Sequence, residues 1–254
     1  MDNTTGKILL NYDDVYLDRI RRSDAVGFSI EAPSDYRAEN IHFMAFGSEF
    51  NINKTTFSLS IPGKYNVYNA LSCIALLSEI GIPAADIADV LPEFLGIERR
   101  FDIHLNDGVH LVIDDYAHNP HKIEAMMRAA SAIRDNICYI FQPHGYAPTK
   151  MMKDEYIKTF STNLRISDRL ILLPIYYAGG TVSKEISSRS LAEGIRVNNK
   201  TVDLANRNEI LHMAALHDTY VIFGARDESL SEFAHSLAGA PKEKKPPHRE
   251  KITD

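Results

Sequence analysis

The stretch Leu111-Val-Ile-Asp-Asp-Tyr-Ala-His-Asn-Pro-His121 constrains the fold more than any other part of the chain. Three apolar residues run into two carboxylates, an aromatic ring, a histidine and an Asn-Pro step. Beyond it, Ile123, Met126, Met127, Ala130 and Ile133 recur at helical spacing. Asn119 can cap that helix, and Pro120 suits its first position, where no backbone donor is required. The segment reads as a buried strand, a loop at its carboxyl end, and a helix. In open α/β sheets ligands sit at that edge, where polar side chains leave the core and helix amino ends face anions. An Asp-Asp pair after a strand also makes a plain turn, so position alone leaves both readings open.

The same alternation continues to the end of the chain. Ile103-His-Leu105, the turn Asn106-Asp-Gly108 and Val109 to Ile113 read as a hairpin, with Asn-Asp-Gly favouring positive φ. Further apolar strands are expected near 137–141, 170–173 and 220–224, with a weaker one at 201–204. Helices are expected near 119–133, 150–163, 188–195, 207–216 and 228–238. Strands alternating with helices predict a mostly parallel, doubly wound α/β sheet.

The first hundred residues differ. Strands fit 7–10 and 26–30, with a helix over 15–22 between them. Ile41, Phe43, Phe50, Ile52, Phe57, Leu59 and Ile61 alternate as half-buried strands do. These are the outer strands of a sheet whose centre is not found. A helix is expected from Asn66 to about Glu79, stopped by Gly81 and Pro83, and another from Ala84 to Phe94, ended or bent by Pro92. The tail from Pro241 to Lys251 is polar and proline-rich, and is expected to be disordered.

Composition excludes several classes of function. With 254 residues, 44% apolar and 24% charged, the chain can bury one large core or two smaller ones. A formal charge of −6, with no basic stripe, argues against nucleic acid. No apolar run is long enough to span a bilayer, and the polar opening Met1-Asp-Asn-Thr-Thr-Gly6 is no signal peptide, so a cytoplasmic protein is expected. Cys73 and Cys138 lie inside apolar segments and read as buried thiols in a reducing compartment. A zinc site at His118, His121 and His144 lacks a fourth ligand and the spacing of metal motifs.

The stretch after the central strand resembles the Asp-Asp-Tyr-x-His-x-Pro segment of the Mur ligase family, most closely its alanine-adding branch. Gly63-Lys-Tyr-Asn-Val-Tyr-Asn-Ala70 is similar to the family's Gly-x-His-Asn-x-x-Asn-Ala, with Tyr65 in place of the histidine. Gly96-Ile-Glu-Arg-Arg-Phe101 resembles the family's interdomain link, and Phe141-Gln-Pro-His144 and Tyr176-Tyr-Ala-Gly179 fall in the expected order. The resemblance implies that residues 1–101 are the last part of a central ATPase domain, that 102–240 are a complete Rossmann-like C-terminal domain, and that 241–254 are a tail. It also implies ATP and Mg2+, a substrate carboxylate of the UDP-N-acetylmuramate type activated as an acyl phosphate, and an amino acid whose amine attacks it. One motif is missing. Gly6-Lys7 and Gly63-Lys64 are the only Gly-Lys pairs, and neither opens a phosphate-cradling loop. The isolated chain is therefore expected to be inactive, with the loop and most metal ligands belonging to a part it lacks or to a partner chain.

By resemblance, Asn66 and Asn69 flank the adenine, where an amide can both donate and accept. Arg99 and Arg100 hold the γ-phosphate or bridge domains, or are solvated linker cations. Asp114 and Asp115 hold the ribose or an arginine, with Asp115 preferred. Tyr116, His118 and His144 face the incoming amino acid, and His118 can orient its amine or accept its proton. The alanine-adding branch continues His-Arg-Tyr-x-Arg-Thr, with two arginines for the amino-acid carboxylate. Here His144-Gly-Tyr-Ala-Pro-Thr-Lys150 puts Gly145 and Pro148 at those places. The replacement cation is Lys150 or Arg226; Arg226 follows Gly224-Ala225 at a strand end, where a salt bridge to Asp227 or Glu228 is the plainer alternative. Alanine specificity is therefore open. Competing readings are a non-catalytic Rossmann-like module that binds a nucleotide or amino acid or docks on a partner, and a ligase related to folylpolyglutamate synthase.

Overall fold

The computed structural model describes residues 6–179 and 185–240 and falls into two compact units. One holds the described residues up to Phe101 together with Glu124–Ile133; the other holds Asp102–Ile123 and the described residues from Arg134 onward. The tail 241–254 lies outside the described residues.

In the first unit β1 (Ile8–Asn11), β2 (Ala25–Ser29) and β3 (Tyr36–Arg37) form a parallel sheet, with the short helix α1 (Val15–Asp18) after β1. A separate antiparallel sheet joins β4 (Glu39–Met44), β5 (Gly47–Ile52) and β6 (Thr55–Leu59). The strands expected to be the outer part of one sheet thus belong to two, because a repeating apolar alternation does not say which strand pairs with which. Helices α2 (Lys64–Glu79) and α3 (Ala84–Val90) follow, with a 3-10 turn at Leu91–Glu93 where Pro92 stands. Phe50, Phe57, Val67, Leu71 and Ile74 form the core of this unit. The Phe50 and Phe57 rings stack at 5.8 Å.

The second unit is built on a six-stranded sheet in the order β11-β10-β9-β12-β8-β7. Its strands are β7 (Asp102–Asn106), β8 (Leu111–Asp115), β9 (Ile137–Gln142), β10 (Arg169–Leu172), β11 (Val202–Leu204) and β12 (Thr219–Gly224). All pairs are parallel except β7 with β8. Every residue of β8, β9 and β12 is buried, as expected of strands covered on both faces, and the doubly wound α/β class holds. Helix α4 (Pro120–Ser131) starts in this unit, but its residues from Glu124 onward cluster with the first; the other helices are α5 (Tyr146–Met151), α6 (Lys153–Asn163), α7 (Ser188–Arg196), α8 (Arg207–His212) and α9 (Ser229–Gly239). Helix α6 packs on α7, whereas α9 lies over β7, β8 and β12. On one face Phe141 stacks on Phe223 at 5.0 Å and meets Phe160 at 5.5 Å. The other face gathers Val112, Cys138, Ile140, Tyr220, Ile222 and Phe233.

Several expected boundaries move for identifiable reasons. The helix over 15–22 is only Val15–Asp18: Asp14 caps it, but it buries no residue that would sustain a second turn. Helix α2 starts at Lys64, because Gly63 takes φ 101° at its N-cap, so Asn66 is inside the helix and is not its cap. The helix expected over 150–163 is two, since Pro148 is accommodated in the first turn of α5 and the chain breaks at Met152. The expected helix 207–216 ends at His212. Cys73 is exposed, because it lies off the buried face of α2; Cys138 is buried, which pushes its thiol up to about 12.

Candidate functional site

The carboxyl edge of the large sheet gathers polar side chains around the loop after β8. Asp115 is the buried last residue of that strand, and its Oδ1 accepts the Ala117 N–H at 2.7 Å, which turns the chain. The carbonyl of His118 accepts the Tyr156 hydroxyl at 2.6 Å, anchoring the loop to α6. Asn119 Oδ1 accepts the Lys122 N–H at 2.9 Å and starts α4. The loop is thus fixed at three points, and its exposed tip is Tyr116. Asp114 is fully buried one residue earlier, so alternation along the strand sends it to the opposite face from Asp115.

Three of the expected residues meet here. The Tyr116 and His118 rings lie edge to face at 5.5 Å, and His118 meets His144 at 5.7 Å. His118 Nδ1 is 2.9 Å from the Tyr116 carbonyl. His144 is held by its backbone: the Gly145 N–H donates to the Tyr176 carbonyl, and the Tyr176 N–H to the Pro143 carbonyl, each at 2.8 Å. Burial depresses the pKa of His144, and the nearby His118 and Arg226 add to this, so its imidazole is neutral at pH 7. His121 is exposed.

Arg226 follows Gly224-Ala225 at the end of β12, with φ 71°. The alternative salt bridge to Asp227 or Glu228 is not formed. Asp227 is paired with Arg207 instead, and among the described residues Arg226 makes no hydrogen bond or ion pair. Lys150, the other candidate cation, is ion-paired with Glu185 at the surface. Arg207, which has no counterpart among the residues expected from sequence, joins Gln142 and Asp227 in one network: Arg207 also reaches Gln142 Oε1 at 3.2 Å and Ser229 Oγ at 2.8 Å. Gln142 stood inside a recognised segment, but Arg207 carried no local signal, because its partners are remote in sequence.

In the first unit a cavity of about 430 Å3 is lined by Leu59, Ile61, Asn66, Asn69, Phe94 and Arg100, among others. Asn66 Nδ2 donates to the Pro62 carbonyl at 2.7 Å, and Asn69 Nδ2 donates to Asn66 Oδ1 at 3.2 Å. Because a carbonyl can only accept, this chain fixes both amide orientations and leaves Asn69 Oδ1 without an intramolecular donor among the described residues. Apolar walls with one directed amide suit a flat heteroaromatic base. Arg100 is exposed, whereas Arg99 is buried with φ 58°, so the two are not a pair of solvated linker cations. Among the described residues no cluster of three His, Cys, Asp or Glu offers a metal site.

The family model described as the Mur ligase glutamate ligase domain matches residues 99–244, more than half the chain, and that of the Mur ligase middle domain matches residues 2–77. The chain belongs to the Mur ligase family. Among its relatives is the UDP-N-acetylmuramate–L-alanine ligase of Persephonella marina, 32% identical over 252 residues, covering 92% of this chain and 54% of that protein. The solved UDP-N-acetylmuramate-alanine ligase of Thermotoga maritima aligns with a TM-score of 0.70 at 22% identity, over 91% of this chain and 50% of its own. The MurF ligase of Thermotoga maritima, solved in complex with ADP, aligns with a TM-score of 0.65 at 14% identity, over 93% of this chain and 53% of its own. At these identities the structures show the Mur ligase fold alone. The chain spans about half the length of the curated relatives it matches. No helix among the described residues is long and apolar enough to cross a membrane.

Proposed function

We propose that this chain is the C-terminal part of an ATP-dependent amino-acid ligase that forms an amide bond on a UDP-N-acetylmuramate-type carboxylate, in cytoplasmic synthesis of peptidoglycan precursors. The observation that carries the reading is Arg226, without a hydrogen bond or ion pair among the described residues, near His144, whose burial favours the neutral imidazole, on the sheet edge that also presents Tyr116 and His118. A free amino acid brings a carboxylate and an amine. The guanidinium fork of Arg226 takes the carboxylate. His118 orients the amine, and the neutral His144 ring lies beside it as a further proton acceptor, so the amine can act as a nucleophile. Asp115 sets the loop that aims Tyr116 and His118.

ATP supplies the activation of the substrate carboxylate. Asn66 and Asn69 hold its adenine in the cavity of the first unit, and Arg100 lies at the same cavity for its phosphates. A ribose role for Asp114 or Asp115, and a γ-phosphate role for Arg99, rest on the family resemblance. Magnesium accompanies ATP in this reading, with its ligands supplied by the phosphate-loop half of the enzyme.

Calorimetric titration of the chain tests the assignment. With alanine as the probe, Arg226→Ala is expected to weaken binding about tenfold or more, because a charged hydrogen bond is worth roughly 1.5–3 kcal/mol. Lys150→Ala is expected to be silent. With ADP, Asn69→Ala weakens binding and Arg226→Ala does not. A silent Arg226→Ala with an effect at Lys150 reverses the cation assignment; silence at both removes the amino-acid pocket.

A further inference from the structure

Asp227 follows Arg226 directly in the chain and is buried, so left without a partner it would be a strong draw for that guanidinium. It is already saturated. Arg207, the first residue of α8, ion-pairs with its Oδ2, while Ser229 donates to its Oδ1 from the hydroxyl at 2.5 Å and from the backbone at 3.2 Å. The rest of the Arg207 fork is spoken for as well. It donates to Gln142 Oε1 at 3.2 Å, to Ser229 Oγ at 2.8 Å and to the Ser229 carbonyl at 3.3 Å, and lies over the Phe233 ring at 5.7 Å. Arg207 therefore ties the end of β9, the turn after β12 and the start of α9 to α8, on the edge where His144 and Arg226 stand.

We propose that Arg207 is a positioning residue that keeps Arg226 available: by saturating Asp227 it prevents the adjacent carboxylate from capturing the Arg226 guanidinium, which stays open to a substrate carboxylate. A buried carboxylate stripped of its partner recruits the nearest cation, and along this turn that cation is Arg226. The inference rests on the reading of Arg226 as the site cation. It adds that the cation is held free by a residue that never touches substrate.

His144 reports on Arg226 without any ligand, because it feels that charge. The test is a pH titration of the histidine ring resonances by NMR on the full chain, with His144 assigned by its loss in His144→Gln. Arg226→Ala is expected to raise the His144 midpoint, since a repelling cation is gone. Arg207→Met is expected to raise it as well, because Arg226 is drawn onto Asp227. Arg207→Met combined with Asp227→Asn is expected to return it to the wild-type value, since no carboxylate remains to capture Arg226. Alanine binding should follow the same order: weakened in the single variant and restored in the double.

The proposal is overturned if Arg207→Met leaves His144 unmoved while Arg226→Ala shifts it, or if the double variant stays where Arg207→Met put it. Should Arg207→Met not fold, the double variant decides: a wild-type midpoint supports the proposal, and the midpoint of Arg226→Ala overturns it. An unchanged alanine affinity in Arg226→Ala, with the His144 pattern intact, supports the positioning relation and removes the substrate role of the cation, so the two failures are distinct.

Discussion

Arg226 occupies the left-handed region at φ 71°, a conformation that costs a residue with a Cβ about 1–2 kcal/mol. Its side chain makes no hydrogen bond or ion pair among the described residues that would offset the cost. Arg226→Gly is therefore expected to leave stability in urea unchanged or raised, by up to about 1 kcal/mol, while weakening carboxylate binding about tenfold or more. A destabilised variant would mean that the side chain is structural. Asp13 presents the opposite case. Burial pushes its carboxyl up, but the N–H groups of Glu31, Ile30 and Ala32 and the Tyr68 hydroxyl outweigh this and hold it below 3.8. A depressed folded value makes its contribution complete above about pH 4, the unfolded value, and lost as pH falls through the folded one. Asp13→Asn should cost about 1–3 kcal/mol at pH 7 and flatten the acid limb of the stability curve, read by urea unfolding between pH 2 and 7. An acid limb identical to wild type would contradict this. That His118 and His144 share the sheet edge could be read from sequence because each follows an apolar strand that ends there. Arg207 could not, because Gln142 and Asp227 meet it only through the fold.

The loop after β8 is rigid because α6 holds it from outside. Tyr156 is 1% exposed and spends its hydroxyl on the His118 carbonyl at 2.6 Å. Tyr156→Phe keeps the packing against Phe141 and loses only that bond, so it should cost about 1 kcal/mol in urea unfolding. It should also weaken alanine binding, because the His118 ring is no longer posed; a variant equal to wild type in both would detach α6 from the site. Parallel strands were legible from sequence because both faces are covered, which leaves continuous apolar runs such as Ile137–Phe141. Helix ends were less so. The expected helix began only at 150, yet Pro148 already sits in the first turn of α5, and the helix expected over 15–22 is a short one that buries no residue. The two sheets of the first unit were read as one, because strand partnership is settled between residues distant in sequence.

At the scale of the molecule, five segments in family order along the chain point to the Mur ligases from sequence alone, and the two family models match residues 2–77 and 99–244. What the order of motifs cannot convey is that Glu124–Ile133 clusters with the first unit, a grouping made by contacts distant in sequence. The central claim is that this chain receives the nucleotide base and the amino acid, while the phosphate-cradling loop that activates ATP is absent from its 254 residues. The most direct measurement is phosphate release with ATP, magnesium and an amino acid, made on the purified chain alone and then with the phosphate-loop half of a family member and its UDP-sugar substrate. The account predicts no turnover alone and amino-acid-dependent release in the mixture, with Arg226→Ala raising the half-saturating amino-acid concentration about tenfold or more. Steady magnesium-dependent ATP turnover by the chain alone, abolished by Asp115→Asn, would contradict it.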